Sequence, residues 1–209
     1  MRELDLASWP FQEHYRFFRQ MDFQMFHICV NIDVTHFLRY TKERGLPFYP
    51  AMIYAAMRGT DEIEEFRYRT RGPDRVIVHD YLRPGFTDVA GEGGLFKMVR
   101  SVGHHGLSME QFCRRAKEAS ASQQQMLPRE PEPDDMIFIT CLPWISFTDL
   151  GHTISLDPES CVPQVSWGKY FVQNGRTLLP FSVQVSHALM AGYHVARYID
   201  WVQQYIDSL

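Results

Sequence analysis

The part of the chain that most constrains the fold is residues 180–209, where an alternating segment is followed by a helical repeat. Residues 181–186 alternate apolar and polar side chains, which predicts a strand with one buried face. From residue 195 to residue 206, apolar side chains recur at the spacing of an amphipathic helix. His187 lies between the two, at a junction where rigid elements can hold a side chain that solutes still reach. A packed histidine is the alternative to a catalytic one there.

Length and composition favour a single globular domain spanning residues 1–209. The chain is 45% hydrophobic and 14% aromatic, enough to bury a sizeable core. Its 21 basic and 25 acidic residues give a net charge of −4, and no basic stripe of the kind that nucleic acid needs is present. The arginines at positions 67, 69, 71 and 75 are predicted to lie on a solvated strand face and turn.

No part of the sequence predicts a membrane or secretory role. No apolar run approaches transmembrane length, and the first ten residues lack the apolar centre of a signal peptide. The four cysteines are scattered, without a C-x-x-C pair, which favours free thiols. We therefore expect a cytoplasmic protein without a membrane partner.

The remaining periodicity predicts helices and strands without strict alternation, which indicates an α+β fold with a mixed, mostly antiparallel sheet. An Asn-Gly pair at 174–175 predicts a hairpin turn within residues 164–186. The predicted helices are 13–21, 36–45, 49–59 and 108–124, the other predicted strands are 26–34, 65–70, 75–82, 96–102 and 136–147, and 127–135 is a predicted surface connector.

Four segments, in order, resemble the chloramphenicol acetyltransferase family of coenzyme A-dependent acyltransferases. Residues 9–15 (WPFQEHY) are similar to its Trp-x-Arg-x-Glu-His-Phe, and residues 48–54 (FYPAMIY) to its Phe-Tyr-Pro-x-Met-Ile-Tyr. Residues 142–147 (LPWISF) match its Leu-Pro-Trp-x-x-Phe, and residues 186–192 (SHALMAG) match its His-His-x-x-x-Asp-Gly. The resemblance implies an open two-layer αβ sandwich and a homotrimer with active sites between subunits.

The resemblance also implies a chemistry. Acetyl-coenzyme A is the expected cosubstrate, a small hydroxyl compound such as chloramphenicol the acceptor, and no metal is implied. His187 matches the family's general base, whose ordinary pKa near neutrality suits proton transfer. Thr140 matches the hydroxyl that stabilises the oxyanion. Without the resemblance, an ordinary β-branched strand residue is an equally good interpretation of Thr140.

Further positions match the family's binding residues. Trp144, Lys169 and Tyr170 fall in regions that contact the coenzyme, although a solvated lysine is the alternative for Lys169. Those that correspond to the acceptor pocket are Phe17, Phe18, Gln24, Phe26, Phe138 and Ser166. Of these, Phe18, Gln24 and Phe138 replace a Tyr, a Cys and an Asn of the family, which alters the hydrogen-bonding partners of the acceptor.

The family's signature carboxylate is missing from this chain. Ala191 replaces the Asp, Ser186 replaces the first His, and Phe11 replaces the Arg that pairs with the Asp in relatives. Losing one member of a buried ion pair costs about 3–5 kcal/mol, whereas replacing both with apolar groups can be close to neutral. We therefore expect an altered but active enzyme; the alternative is a catalytically degenerate member that binds a ligand or acts as a scaffold.

Three other histidines lie near glycines or next to the signature. His104 and His105 lie in a glycine-flanked loop, and with no third spaced ligand nearby they predict no metal site. His194, just after the signature, is expected to be structural.

Overall fold

The computed structural model describes residues 1–100, 102–127, 133–153 and 155–209, and it has an α+β architecture. Residues 128–132 of the predicted connector lie outside the described residues. Among the described residues, no helix is both long and apolar enough to cross a membrane. The helices are α1 (Gln12–Phe18), α2 (Thr35–Glu43), α3 (Phe48–Glu62), α4 (Met109–Ser122) and α5 (Gly192–Asp207).

The strands of the described residues form two sheets. The strands are β1 (Arg2–Glu3), β2 (Met25–Asp33), β3 (Tyr68–Thr70), β4 (Val76–Val78), β5 (Arg83–Val89), β6 (Phe96–Val99), β7 (Met136–Leu142), β8 (Gln164–Gly168), β9 (Phe171–Gln173) and β10 (Arg176–Ser186). A small sheet has the order β1-β4-β3, and a larger one has the order β2-β10-β8-β7-β5-β6, with β9 paired to β10. Only the β8–β7 and β7–β5 pairs are parallel, so the predicted mixed, mostly antiparallel sheet is confirmed.

The C-terminal segment folds as its periodicity predicts. β10 is the longest strand and pairs with β2, β8 and β9. Asn174 and Gly175 both have positive φ, 51° and 76°, which is the geometry of a tight hairpin turn. α5 then packs on α3, where a Cβ at Gly59 would lie 2.6 Å from the Tyr198 ring, so only glycine allows this approach of the two helices.

Several element predictions were wrong in extent or absent. The strands predicted at 75–82 and 96–102 end at Val78 and Val99. The predicted strand at 136–147 ends at Leu142, because the chain turns at Pro143. Residues 64–67 form a 3-10 helix, not part of a strand. β5 was not predicted, since Pro84 and Gly85 are depleted in strands, yet it joins β7 to β6.

Arg69 lies in the core, although it was predicted to lie on a solvated strand face. Its side chain is fully buried, not solvated. The guanidinium donates to the carbonyls of Phe66, Asp134 and Met136 at 2.6–2.8 Å, which supplies the acceptors that a buried cation needs. One cation thereby joins the 3-10 helix to the segment that enters β7.

Candidate active site

The large sheet has one polar face, on which hydroxyl side chains form a row across the strands. Thr140 of β7 is the register neighbour of Ser166 in β8, and Ser166 is the neighbour of Ser182 in β10. Because side chains alternate between faces along a strand, register neighbours point to the same side. The sheet therefore presents several hydroxyl groups together.

A cavity of about 920 Å³ opens beside this face. Phe138 and Thr140 line it from β7, and Trp144, with 67% of its surface exposed, lines it from the segment after that strand. Cavities of roughly 300–1,000 Å³ accommodate drug-sized ligands. The cavity therefore combines apolar side chains with a hydroxyl, as a binding site for a small organic molecule does.

His152 connects the cavity to the predicted Ser166. It lines the cavity, and its Nε2 lies 2.6 Å from the Ser166 Oγ, which is fully buried. Its backbone N–H donates to Gln184 Oε1 at 3.0 Å. Burial lowers the pKa of His152, and the nearby His27 lowers it further, so the imidazole is neutral near pH 7. No sequence pattern predicted a role for His152, because it lies in an irregular segment without periodicity.

His187 lies at the end of β10, as predicted, in an aromatic cluster. Its ring stacks on Phe18 with centroids 3.8 Å apart and contacts Phe26 at 4.5 Å. Its backbone N–H donates to the Gln24 carbonyl at 2.7 Å. Phe17 packs edge-on against Phe18 at 5.2 Å and is 58% exposed. Three predicted acceptor residues, Phe18, Gln24 and Phe26, therefore contact the predicted base, and Phe17 packs behind Phe18.

The imidazole of His187 is positioned by packing. Its Nδ1 is buried and has no hydrogen-bond partner within the described part of the chain. The flat contact with Phe18 and the tilted contact with Phe26 restrict the ring from two directions. Aromatic contacts thus hold the ring where a polar partner would usually orient it.

Within one chain, His187 and Thr140 lie on different sides of the large sheet. Phe26, which contacts His187, is the register neighbour of Val185 on the apolar face that the helices cover. Thr140 lies on the opposite, polar face and lines the cavity, which His187 does not. The structure therefore divides the predicted catalytic residues of one chain into two groups.

Ala191, which replaces the signature Asp, is held by an imidazole. The backbone N–H of Ala191 donates to His194 Nδ1 at 2.9 Å at the start of α5, so this nitrogen carries no proton. Phe11 packs edge-on against His194 with ring centroids 5.8 Å apart. His194 Nε2 faces Glu65 Oε1 at 3.6 Å. The structural role expected of His194 is therefore to hold the residue that replaces the signature Asp.

The three residues predicted to contact a coenzyme lie at the exposed ends of β7 and β8. The backbone N–H of Lys169 donates to the Ile145 carbonyl at 2.7 Å, which joins the segment of Trp144 to that of Lys169. The Lys169 side chain is exposed, and Tyr170 is 47% exposed with its ring against Phe48 at 6.2 Å. The group forms an open surface next to the cavity.

Comparison with known proteins gives matches over nearly the whole chain. The family model described as "Chloramphenicol acetyltransferase" matches residues 1–203. A chloramphenicol acetyltransferase of Proteus mirabilis is 28% identical, with 98% of this chain and 94% of the relative covered. Chloramphenicol acetyltransferase 2 of Escherichia coli is 30% identical over 99% and 97% of the two chains. A solved structure named chloramphenicol acetyltransferase superposes with a TM-score of 0.85 at 22% identity, covering 97% of this chain and 98% of that one.

Proposed function

This chain belongs to the chloramphenicol acetyltransferase family and is an acyltransferase, and from that premise we propose that it moves an acetyl group from acetyl-coenzyme A to a hydroxyl of chloramphenicol or a similar small acceptor. The observation that carries the proposal is the Thr140 hydroxyl, which faces a cavity of drug-sized volume. The aromatic walls of the cavity suit an acceptor with apolar parts.

His187 acts as the general base in the proposed reaction. It takes the proton of the acceptor hydroxyl while the oxygen attacks the thioester carbonyl, and a tetrahedral intermediate forms. When the carbon–sulfur bond breaks, the imidazolium returns the proton to the coenzyme thiolate, leaving an acetyl ester and free thiol. Imidazole suits both steps because its ordinary pKa is near neutrality.

Thr140 donates a hydrogen bond to the negative oxygen of that intermediate. A single donor of this kind contributes about 2.7–4 kcal/mol to stabilising the transition state. Ser166 and His152 support the same region, since the imidazole lies between the buried hydroxyl and the cavity. The coenzyme approaches over Trp144, Lys169 and Tyr170.

The working site forms between two copies of the chain in a homotrimer. The base and the oxyanion donor of one chain lie on opposite sides of its sheet, so one copy supplies His187 and its neighbour supplies Thr140. The subunit that supplies His187 also supplies Phe17, Phe18, Gln24 and Phe26, which cover the acceptor. The subunit that supplies Thr140 also supplies Phe138, which lines the same cavity.

Activity is tested by thiol release from acetyl-coenzyme A with chloramphenicol and a panel of small alcohols. His187→Ala is expected to lower kcat by about 10²–10⁴-fold, the usual contribution of a general base. His36→Ala is the matched control, since His36 lies on α2 outside the site. Equal rates for wild type and His187→Ala would contradict the assigned base. A folded wild-type trimer without turnover on any acceptor would favour the binding or scaffold alternative.

The shared site is tested by mixing two inactive variants. Coexpressed His187→Ala and Thr140→Val chains should form mixed trimers in which some interfaces combine an intact His187 with an intact Thr140. Activity well above that of either variant alone is expected, with light scattering to confirm the trimer. No recovery in mixed trimers would place both residues in one subunit and contradict the interfacial site.

A further inference from the structure

Asp61, His104 and His105 form a cluster outside the candidate active site, and we propose that this cluster binds a divalent transition-metal ion of the zinc class. Asp61 lies in the last turn of α3, and the two histidines lie in the loop before α4. The sequence showed no third ligand near the histidine pair. The fold supplies one from 43 residues away.

The ligand atoms are already near the spacing that a tetrahedral ion requires. His104 Nε2 lies 2.8 Å from Asp61 Oδ2, and His105 Nε2 lies 3.2 Å from Asp61 Oδ1. All three residues offer a ligand atom within 4.8 Å of the others. Zinc bonds of about 2.0–2.2 Å in a tetrahedron place ligand atoms roughly 3.3 Å apart. Small side-chain shifts therefore suffice to admit the ion.

Burial makes the cluster more than a surface ion pair. The side chain of His104 is 0% exposed and that of Asp61 is 20% exposed. Asp61 Oδ1 is buried and accepts no hydrogen bond from any described residue. His105 Nε2 lies 3.2 Å from this oxygen without making a hydrogen bond to it. A buried carboxylate oxygen without a hydrogen bond is costly, and a bound cation would satisfy it.

The donor set and its access suit zinc. Two imidazole nitrogens and one carboxylate oxygen are common zinc ligands, and three protein ligands leave a fourth position for water. The side chain of His105 is 40% exposed, which gives the ion a path from solvent. The Tyr81 ring packs on the His105 ring at 4.6 Å and restricts its orientation.

Arg58 opposes a cation at the cluster, and Arg67 adds a second positive charge near His105. The Nε of Arg58 lies 3.6 Å from Asp61 Oδ2, and its side chain is 38% exposed. The guanidinium competes with the ion for the carboxylate but can turn to solvent. Replacing Arg58 by Gln should therefore tighten metal binding, an effect that a purely structural hydrogen-bond cluster does not predict.

The test is calorimetric titration of the full chain with Zn²⁺ after removal of bound metal by a chelator. We expect about one site per chain, with Asp61→Asn and His105→Ala each weakening affinity by at least about tenfold. His105 is the safer variant for folding because its side chain is partly exposed. His27→Ala is the matched control, since His27 belongs to a separate group with Cys29 and Asp149.

The expected pattern is a single site lost in Asp61→Asn and His105→Ala, kept in His27→Ala and strengthened in Arg58→Gln. No Zn²⁺ binding by wild type would overturn the proposal. So would binding that survives both ligand variants, or binding lost only in His27→Ala. Each variant is first checked for a wild-type far-ultraviolet spectrum, so that unfolding is not read as loss of a ligand.

Discussion

The two faces of the large sheet differ in their stabilising interactions: one is packed by apolar side chains, and the other is held by hydrogen bonds. On the apolar face, Phe181 packs between Trp167 and Tyr198, and all three side chains are at most 1% exposed. On the polar face, the neighbouring Ser182 is equally buried but donates a hydrogen bond to the Leu150 carbonyl at 3.0 Å. Adjacent residues of one strand thus have different roles. The apolar face contributes hydrophobic stability, and the polar face positions hydroxyl groups and His152.

Phe181→Ala should have the largest effect on stability. Removing a fully buried phenyl ring leaves a cavity, at a cost of about 3–5 kcal/mol in the free energy of unfolding. Urea unfolding measures the loss. Val172→Ala, at a side chain that is 73% exposed, should change stability by less than about 0.5 kcal/mol. Similar losses in the two variants would mean that the apolar face is not the main source of stability.

Thr140→Val should affect activity and leave stability nearly unchanged. The substitution keeps the shape and removes the hydroxyl that faces the cavity, so kcat should fall by about 10²–10³-fold. Thr140→Ser keeps the hydroxyl and should recover most of the activity. A fall in kcat shared by both variants would indicate packing at this position, and an unchanged kcat in Thr140→Val would remove Thr140 from the mechanism.

Ser182→Ala should cost much less stability than Phe181→Ala. It removes one hydrogen bond, which contributes about 0.5–1.5 kcal/mol to the free energy of unfolding. Urea unfolding of the two variants side by side compares the faces directly. A loss in Ser182→Ala as large as that in Phe181→Ala would mean that both faces stabilise the fold equally.

The smallest expected effect is the pH dependence contributed by His152. Its folded-state pKa is lowered, first by burial and then by His27, from an unfolded value of about 6.5. Below that pH the unfolded chain binds more protons, so the free energy of unfolding falls as pH decreases toward the folded-state pKa. In His152→Gln this fall should be shallower between about pH 7 and 5. His105 and His194 also have lowered pKa values, so the slope should decrease without disappearing.

An identical pH slope in wild type and His152→Gln would contradict the burial of a neutral imidazole against Ser166. Thermal unfolding at a series of pH values provides the measurement. The glutamine side chain can still donate to the Ser166 hydroxyl, which separates the loss of a titrating group from the loss of a contact.

Elements with a regular apolar–polar periodicity were predictable from the sequence. Elements that depend on contacts with residues distant in the sequence were not. Period-2 alternation placed β10, and the Asn-Gly pair placed its hairpin turn. β5 contains Pro84 and Gly85, and it is a strand because β7 and β6 pair with it on both sides. Arg69 reads as a surface residue by type, yet the carbonyls that surround it come from segments up to 67 residues away.

The sequence by itself determined the strand-to-helix junction that carries His187, because alternation and helical spacing are local properties. It also determined the family, since four motifs keep their order along the chain. Only the tertiary structure decided that His187 and Thr140 lie on opposite faces, that His152 meets Ser166, and that Asp61 joins the histidine pair. These contacts depend on strand register and helix packing, which bring together residues that no local pattern relates.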